Sequence, residues 1–352
     1  MNIAVIGACG DVGRQIVQHI VVERLLECNQ RLVLVGNAEG PSARSAYGLA
    51  SDLTDAYAEI CPTIEIVLEP SEIRADLIVV AAGQTAKPTL DSAPMTRDGL
   101  AAANAPIFER YARAIAGRGR GHEIVLCVSN PVELAVAIFA KHLGRDRVIG
   151  MGAFLDSLRF RKEIAADLGI RRQTIHAFVV GEHGTLSVPL WSGVHIFGYD
   201  AERLGRELAR IRGPRPIEEF PRVVAEAQAE LESLIRRGDV RGAYAAVERF
   251  PPDVRVVVRP FVTHYSGAKT VIGTGHATME FIRTIAQGAD ALVSGQLAIE
   301  GEVYGIHGTI GVPFVVGNRG VDRIFELPMD DAERKLLAES ARRVREKLAP
   351  FL

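Results

Sequence analysis

Residues 2–13 read NIAVIGACGDVG: an apolar run over Asn2–Ile6, then Gly7, Gly10 and Gly13 at intervals of three. A short, continuous apolar run suits a strand covered on both faces. Glycines are needed where the chain turns tightly and backbone N–H groups must come close to a phosphate. Over Asp11–Glu27, Val12, Ile16, Ile20 and Leu25 recur at helical spacing, so a helix follows the turn. Strand, Gly-rich turn and helix in that order form a phosphate-binding loop, with the helix N-terminus adding partial positive charge. The bland alternative is a plain strand–helix turn.

Outward from this loop, the same alternation continues. Apolar runs at Leu32–Val35, Ile64–Leu68, Leu77–Ala81, Ile124–Val128 and Val148–Ile149 are separated by helical stretches. This predicts an α/β fold, a Rossmann-type doubly wound parallel sheet, over residues 1–150. At the end of the second run, where an acidic residue ordinarily bonds a ribose 2′-hydroxyl, stand Gly36 and Asn37. No carboxylate is there to repel a 2′-phosphate, and Arg44 follows shortly, which favours NADP over NAD. Gly36 also reads as a turn residue, with Asn37 bonding the ribose.

Residues 151–352 predict a second, α+β domain. Phe154–Leu168 reads as a helix and His176–Val180 as a strand. Phe220, Val224, Ala227, Leu231 and Leu234 lie on one helical face of Glu218–Arg236. Thr278–Leu292 reads as a helix, Ala298–Gly301 and Phe314–Val316 as strands. Asp330 and Asp331 open a last helix. Gly238–Gly273 looks linker-like, an insertion in which Val254–Val258 reads as a strand.

Bulk properties narrow the partners. The 352 residues are 48% hydrophobic and 24% charged, with net charge −2, suiting two packed globular domains. Without a basic excess, nucleic acid and membrane are poor partners. Cys9, Cys28, Cys61 and Cys127 are scattered with no CxxC, which points to reduced thiols rather than disulfides or a metal site. No basic and apolar leader precedes the first strand, so a cytoplasmic location is expected.

The polar clusters carry the chemistry. His183 stands on a Gly-flanked turn, Gly181-Glu182-His183-Gly184, after a strand. Asp156 and Arg159 lie three apart on a helix and share a face. Arg97 ends a Pro-bearing loop, Pro94-Met95-Thr96-Arg97, a natural lid. Asn130 ends the fifth strand, at the carboxyl edge where such sheets bind ligands. Each has a bland reading: a structural histidine, a surface ion pair, a turn. Together they are what reduction of a 2-oxo acid requires: a proton donor, a carboxylate to charge it, a forked cation for the substrate carboxylate, and a second cation at the carbonyl.

The segments GACGDVG (7–13), APMTRDGL (93–100), VSNPVE (128–133), GAFLDSLRFR (152–161), GEHGTLSVPLWS (181–192) and YGIHGTIGVPFVVGNRG (304–320) resemble the lactate/malate dehydrogenase family over nearly the whole chain. The resemblance implies His183 as proton donor and acceptor, Asp156 as its partner, and Arg97, Asn130 and Arg159 as substrate-binding. It implies cofactor contacts at Gly7, Gly10, Asp11, Val12, Gly13, Gly36, Asn37, Gly83, Asn104, Val128 and Asn130. It implies NAD or NADP, a small 2-oxo/2-hydroxy acid with malate/oxaloacetate first, no metal, and a homodimer or homotetramer.

Three departures stand out. Gly36 replaces the family's NAD-reading Asp. Ala86 precedes Lys87-Pro88 where the family reads the substrate side chain, typically with Arg for malate or Gln for lactate, and the loop after it is longer. The 238–273 segment is extra, a pocket cover or a subunit contact. Lactate or a bulkier 2-hydroxy acid, and a catalytically silent NAD(P)-binding protein, are the alternatives. Tyr265 and Lys269 form a YxxxK pattern like that of short-chain reductases, which would leave His183, Asp156 and Arg159 unexplained. A related glycosidase family would need a Cys/His metal cluster that is not evident.

Overall fold

The computed structural model describes residues 1–85 and 97–352, with Arg97 as backbone alone. The expectations on Ala86, Lys87, Pro88 and Pro94–Thr96, and on the Arg97 side chain, lie outside the described residues.

The first half runs β1 (Ile3–Ile6), α1 (Asp11–Val22), β2 (Arg31–Val35), α2 (Ser42–Ala56), β3 (Thr63–Val67), β4 (Leu77–Val80), α3 (Arg97–Arg118), β5 (Ile124–Cys127), α4 (Val132–Leu143) and β6 (Val148–Gly150). All six strands are parallel, in the order β3-β2-β1-β4-β5-β6. This is the doubly wound sheet expected from the sequence. The winding reverses between β1 and β4, so their carboxyl ends open a crevice. Every residue of β1 and Leu32–Val35 of β2 is buried, which is why these strands read as continuous apolar runs.

The second half contains α5 (Gly152–Leu168), β7 (Ile175–His176), β8 (Val179–Gly181), β9 (Ser187–Pro189), β10 (His195–Ile196), α6 (Ala201–Arg212), α7 (Phe220–Arg236), α8 (Val240–Val247), α9 (Pro252–Tyr265), α10 (Val271–Gln287), β11 (Ala291–Glu300), β12 (His307–Gly317), β13 (Gly320–Ile324) and α11 (Asp331–Leu348). β11 pairs antiparallel with β6 at Gln296 and Gly150, and β12 carries β8 and β13. Among the described residues, one eleven-stranded sheet therefore runs through both halves. No helix among them is long and apolar enough to cross a membrane.

Two expectations for 238–273 are corrected. The segment is no linker: it holds α8, α9 and the start of α10, and α9 packs on α5 and α7. Val254–Val258 is not a strand but part of α9. Its alternating valines mimic a strand. Yet Pro252 occupies the first turn, where its missing N–H costs nothing, and Val254, Val258 and Val262 recur every four residues, all fully buried. Burial of that stripe outweighs the weak helix preference of valine. Arg255, on another side of α9, is buried against Glu163 (3.0 Å) and Asp167 (2.6 Å).

The expected helix over Thr278–Leu292 is shifted. α10 starts at Val271 and stops at Gly288, a left-handed cap with φ 62°, after which β11 begins. Its Gly-rich start looked like loop. A Cβ on Gly275 would stand 2.5 Å from Gln15 Cγ, so that glycine lets α10 lie close against α1. His176–Val180 is likewise two short strands, β7 and β8. Glu23–Glu27 falls outside α1.

Candidate active site

Two elements bring the charged groups of the cluster together, α5 following directly on β6. α5 contributes Asp156 and Arg159, and the turn after β8 contributes His183. His183 Nδ1 lies 2.7 Å from Asp156 Oδ2, and Arg159 Nη1 donates to Asp156 Oδ1 at 2.9 Å. The aspartate thus joins the histidine to the arginine. Its side chain is only 6% exposed, whereas the His183 and Arg159 side chains are each 20% exposed and so reach the surface of the cleft.

Burial alone would favour neutral forms of this pair. For Asp156, burial pushes the pKa up, but the His183 charge and hydrogen bond and then Arg159 outweigh it, and it lies below the usual carboxylate range. For His183, burial pushes down, Asp156 pushes up more strongly, and the result lies above the ordinary imidazole value. The arrangement favours the protonated imidazole beside a buried anion, a group that can donate a proton and recover it.

The turn bearing His183 is itself held. Its backbone N–H donates to Glu133 Oε1 on α4 at 2.7 Å. The same oxygen accepts from Gln296 Nε2 at 3.3 Å, and Gln296 Oε1 accepts from Ala153 N at 3.1 Å at the start of α5. Burial, then the nearby Glu182 carboxylate, raises the pKa of Glu133. A Cβ on Gly152 would stand 2.6 Å from His183 Cγ, so only glycine lets the imidazole lie on the first turn of α5. Sequence reasoning missed Glu133, Gln296 and Gly152. A carboxylate inside the apolar run 132–140, and an amide inside the strand run 291–299, were the available signals for the first two. Gly152 carried none.

At the other end of the cleft is the phosphate loop. Gly7 has φ 82°, and a Cβ there would stand 2.8 Å from Ala81 O. A Cβ on Gly13 would meet Gly7 O at 2.1 Å. Gly10 precedes α1 without any side-chain cap, and a Cβ there would meet only Gly7 O, at 3.4 Å. Such a cradle, open at Gly10 and ending in a helix N-terminus, fits a dinucleotide pyrophosphate. Asp11 and Val12 form the first turn of α1.

Gly36 and Asn37 follow β2, with Asn37 exposed. Asn37 N donates to Ser42 Oγ at 2.8 Å. A Cβ on Gly36 would stand 3.0 Å from Leu68 Cδ2 and 3.1 Å from Ser42 O, so packing alone gives this glycine a reason. Asn104 is fully buried and acts as a clip. Its Oδ1 accepts from Gln84 N (2.6 Å), and its Nδ2 donates to Gln84 O (3.0 Å) and Asn130 O (2.7 Å). It ties the Gly83 turn to the Asn130 turn, and a Cβ on Gly83 would stand 3.0 Å from Asn104 Oδ1. Val128 N continues the ladder by donating to Val80 O.

A nucleotide-binding sheet facing a His–Asp–Arg cluster defines a dehydrogenase acting on a CH–OH group. Residues 1–150 match the lactate/malate dehydrogenase NAD binding domain, and residues 248–351 match the lactate/malate dehydrogenase alpha/beta C-terminal domain. The chain is 30% identical over 281 residues to an L-lactate dehydrogenase 2 of Bacillus cereus, covering 79% of this chain and 77% of that one. It is 28% identical over 350 residues to a malate dehydrogenase of Methanothermobacter marburgensis, covering 98% and 95%. Its fold is shared with the lactate dehydrogenase of Cryptosporidium parvum solved with lactic acid and β-nicotinamide adenine dinucleotide (TM-score 0.75, 24% identity, 99% and 97% covered). The chain belongs to the lactate/malate dehydrogenase family.

Proposed function

We propose that this protein interconverts a small 2-hydroxy acid and its 2-oxo acid, with malate and oxaloacetate as the first pair. The observation that carries this reading is Asp156, bonded through one oxygen to His183 and through the other to Arg159. The nicotinamide, when bound, supplies or accepts the hydride. His183 gives a proton to the substrate oxygen during reduction and takes it back during oxidation. With Nδ1 committed to Asp156, Nε2 performs the exchange. Arg159 offers its remaining N–H groups to the substrate carboxylate. Arg97 polarises the carbonyl, and Asn130 contacts substrate and cofactor.

In this reading residues 1–150 hold the dinucleotide through Gly7, Gly10, Asp11, Val12, Gly13, Gly36, Asn37, Gly83 and Val128, while residues 151–352 supply the acid–base pair. Asn104 acts through the Gly83 and Asn130 turns. NADPH is favoured over NADH because no carboxylate stands at positions 36 and 37 and the exposed Arg44 lies on the adjacent α2. Assembly as a homodimer or homotetramer belongs to the same reading and is checked by light scattering.

The test is a steady-state panel of oxaloacetate, pyruvate and bulkier 2-oxo acids, each with NADH and NADPH. Turnover of one of these acids is expected, fastest with oxaloacetate and with the higher kcat/KM for NADPH. Cofactor binding without turnover of any acid would leave a silent binding protein and overturn the proposal.

A further inference from the structure

Lys269, the second member of the YxxxK pattern, does not serve Tyr265, whose ring packs on Phe261 with centroids 4.4 Å apart. Lys269 Nζ instead lies 2.5 Å from Asp11 Oδ2, the first residue of α1 and part of the phosphate loop. The two residues are 258 positions apart. They meet because Lys269 stands just before α10, and Gly275 lets α10 lie against Gln15 of α1. The stretch between α9 and α10 therefore delivers a cation to the mouth of the cofactor site.

That cation meets an electrostatic need. A carboxylate at the start of a helix is favourable for the helix, but it competes with a pyrophosphate for the same partial positive charge. Arg14, on the first turn of α1, uses its Nε to hold Cys9 O at 3.1 Å and so braces the loop. The Asp11 and Lys269 side chains are 60% and 42% exposed, and exposed pairs of this kind contribute little to folding. Their position matters more for an arriving anion than for stability.

We propose that Lys269 is a positioning residue of the cofactor site, cancelling the Asp11 charge so that the phosphate loop accepts a dinucleotide. The inference rests on the dinucleotide reading of this loop. Calorimetric titration of the full chain with NADH, NADPH and adenosine tests both. Failure of the unaltered protein to bind either dinucleotide would remove the reading itself. If it binds, Lys269→Gln should weaken both dinucleotides by roughly tenfold, more at low salt than at high, and leave adenosine unchanged. Lys269→Arg should retain affinity, and Asp11→Asn combined with Lys269→Gln should restore most of it. Thermal melts of all variants should coincide within a few degrees. Unchanged dinucleotide affinity in Lys269→Gln, an equal loss for adenosine, or a loss not relieved by Asp11→Asn would each overturn the assignment.

Discussion

At the His183 end of the cleft, Asp156 is buried and binds both His183 and Arg159, which are only partly exposed. At the Gly7–Gly13 end, the chain is nearly bare of side chains, and its charged residues, Asp11 and Lys269, are exposed. The first end needs fixed charge in a poorly screened place, so its chemistry resides in particular side chains. The second must let a large anion approach the backbone, so its chemistry resides in the absence of side chains and in the net charge around the loop. A substitution should therefore damage turnover at one end and cofactor affinity at the other.

The largest effect is expected from His183→Asn, which should lower turnover by about 10²- to 10⁴-fold while leaving dinucleotide affinity intact. Comparable activity in that variant would remove the proton-donor role. Gly13→Ala attacks the opposite end: its Cβ would meet Gly7 O at 2.1 Å, so the loop must shift. Dinucleotide affinity should fall by about 10²-fold, with a smaller effect on kcat at saturation. Equal affinity would mean that the loop does not cradle the cofactor.

Asp156→Asn sharpens the contrast through pH. The protonated imidazole serves reduction, so reduction should decline as pH rises through the raised pKa of His183, and oxidation should gain. Without the Asp156 charge, burial acts with less opposition, the His183 pKa drops, and the falling limb of reduction moves to lower pH. An unmoved limb would show that another group governs it.

Glu133→Gln should be milder, because an amide oxygen can still accept the His183 N–H, and a decrease in kcat of roughly threefold to tenfold is expected. Glu133→Ala orphans that N–H and should cost about 1–3 kcal/mol of stability, read from denaturant unfolding. If Glu133→Gln matched Glu133→Ala in both readouts, the carboxylate charge rather than the hydrogen bond would be holding the turn.

Much of this was legible in the chain itself, for identifiable reasons. β1, β2, β4, β5 and β6 are almost entirely buried, so they appear as short continuous apolar runs. Asp156 and Arg159 sit three apart, and helical geometry alone puts them on one face. The region 238–273 misled because α9 owes its form to packing on α5 and α7, while its valines alternate like those of a strand. The linker-like reading ran to Gly273, inside α10, because nothing local reveals that α1 lies alongside.

From its sequence alone, this protein's parallel sheet, the glycine turn after β1 and the residues proposed as acid–base pair and clamp could be read. All of these depend on residue type and short spacing. Only the tertiary structure decided that Glu133 and Gln296 brace the His183 turn, that Gly152 makes room for its ring, and that Lys269 lands on Asp11. Those contacts join residues 50, 163 and 258 positions apart or reflect close approach between elements, and no local periodicity or propensity encodes a distance in space.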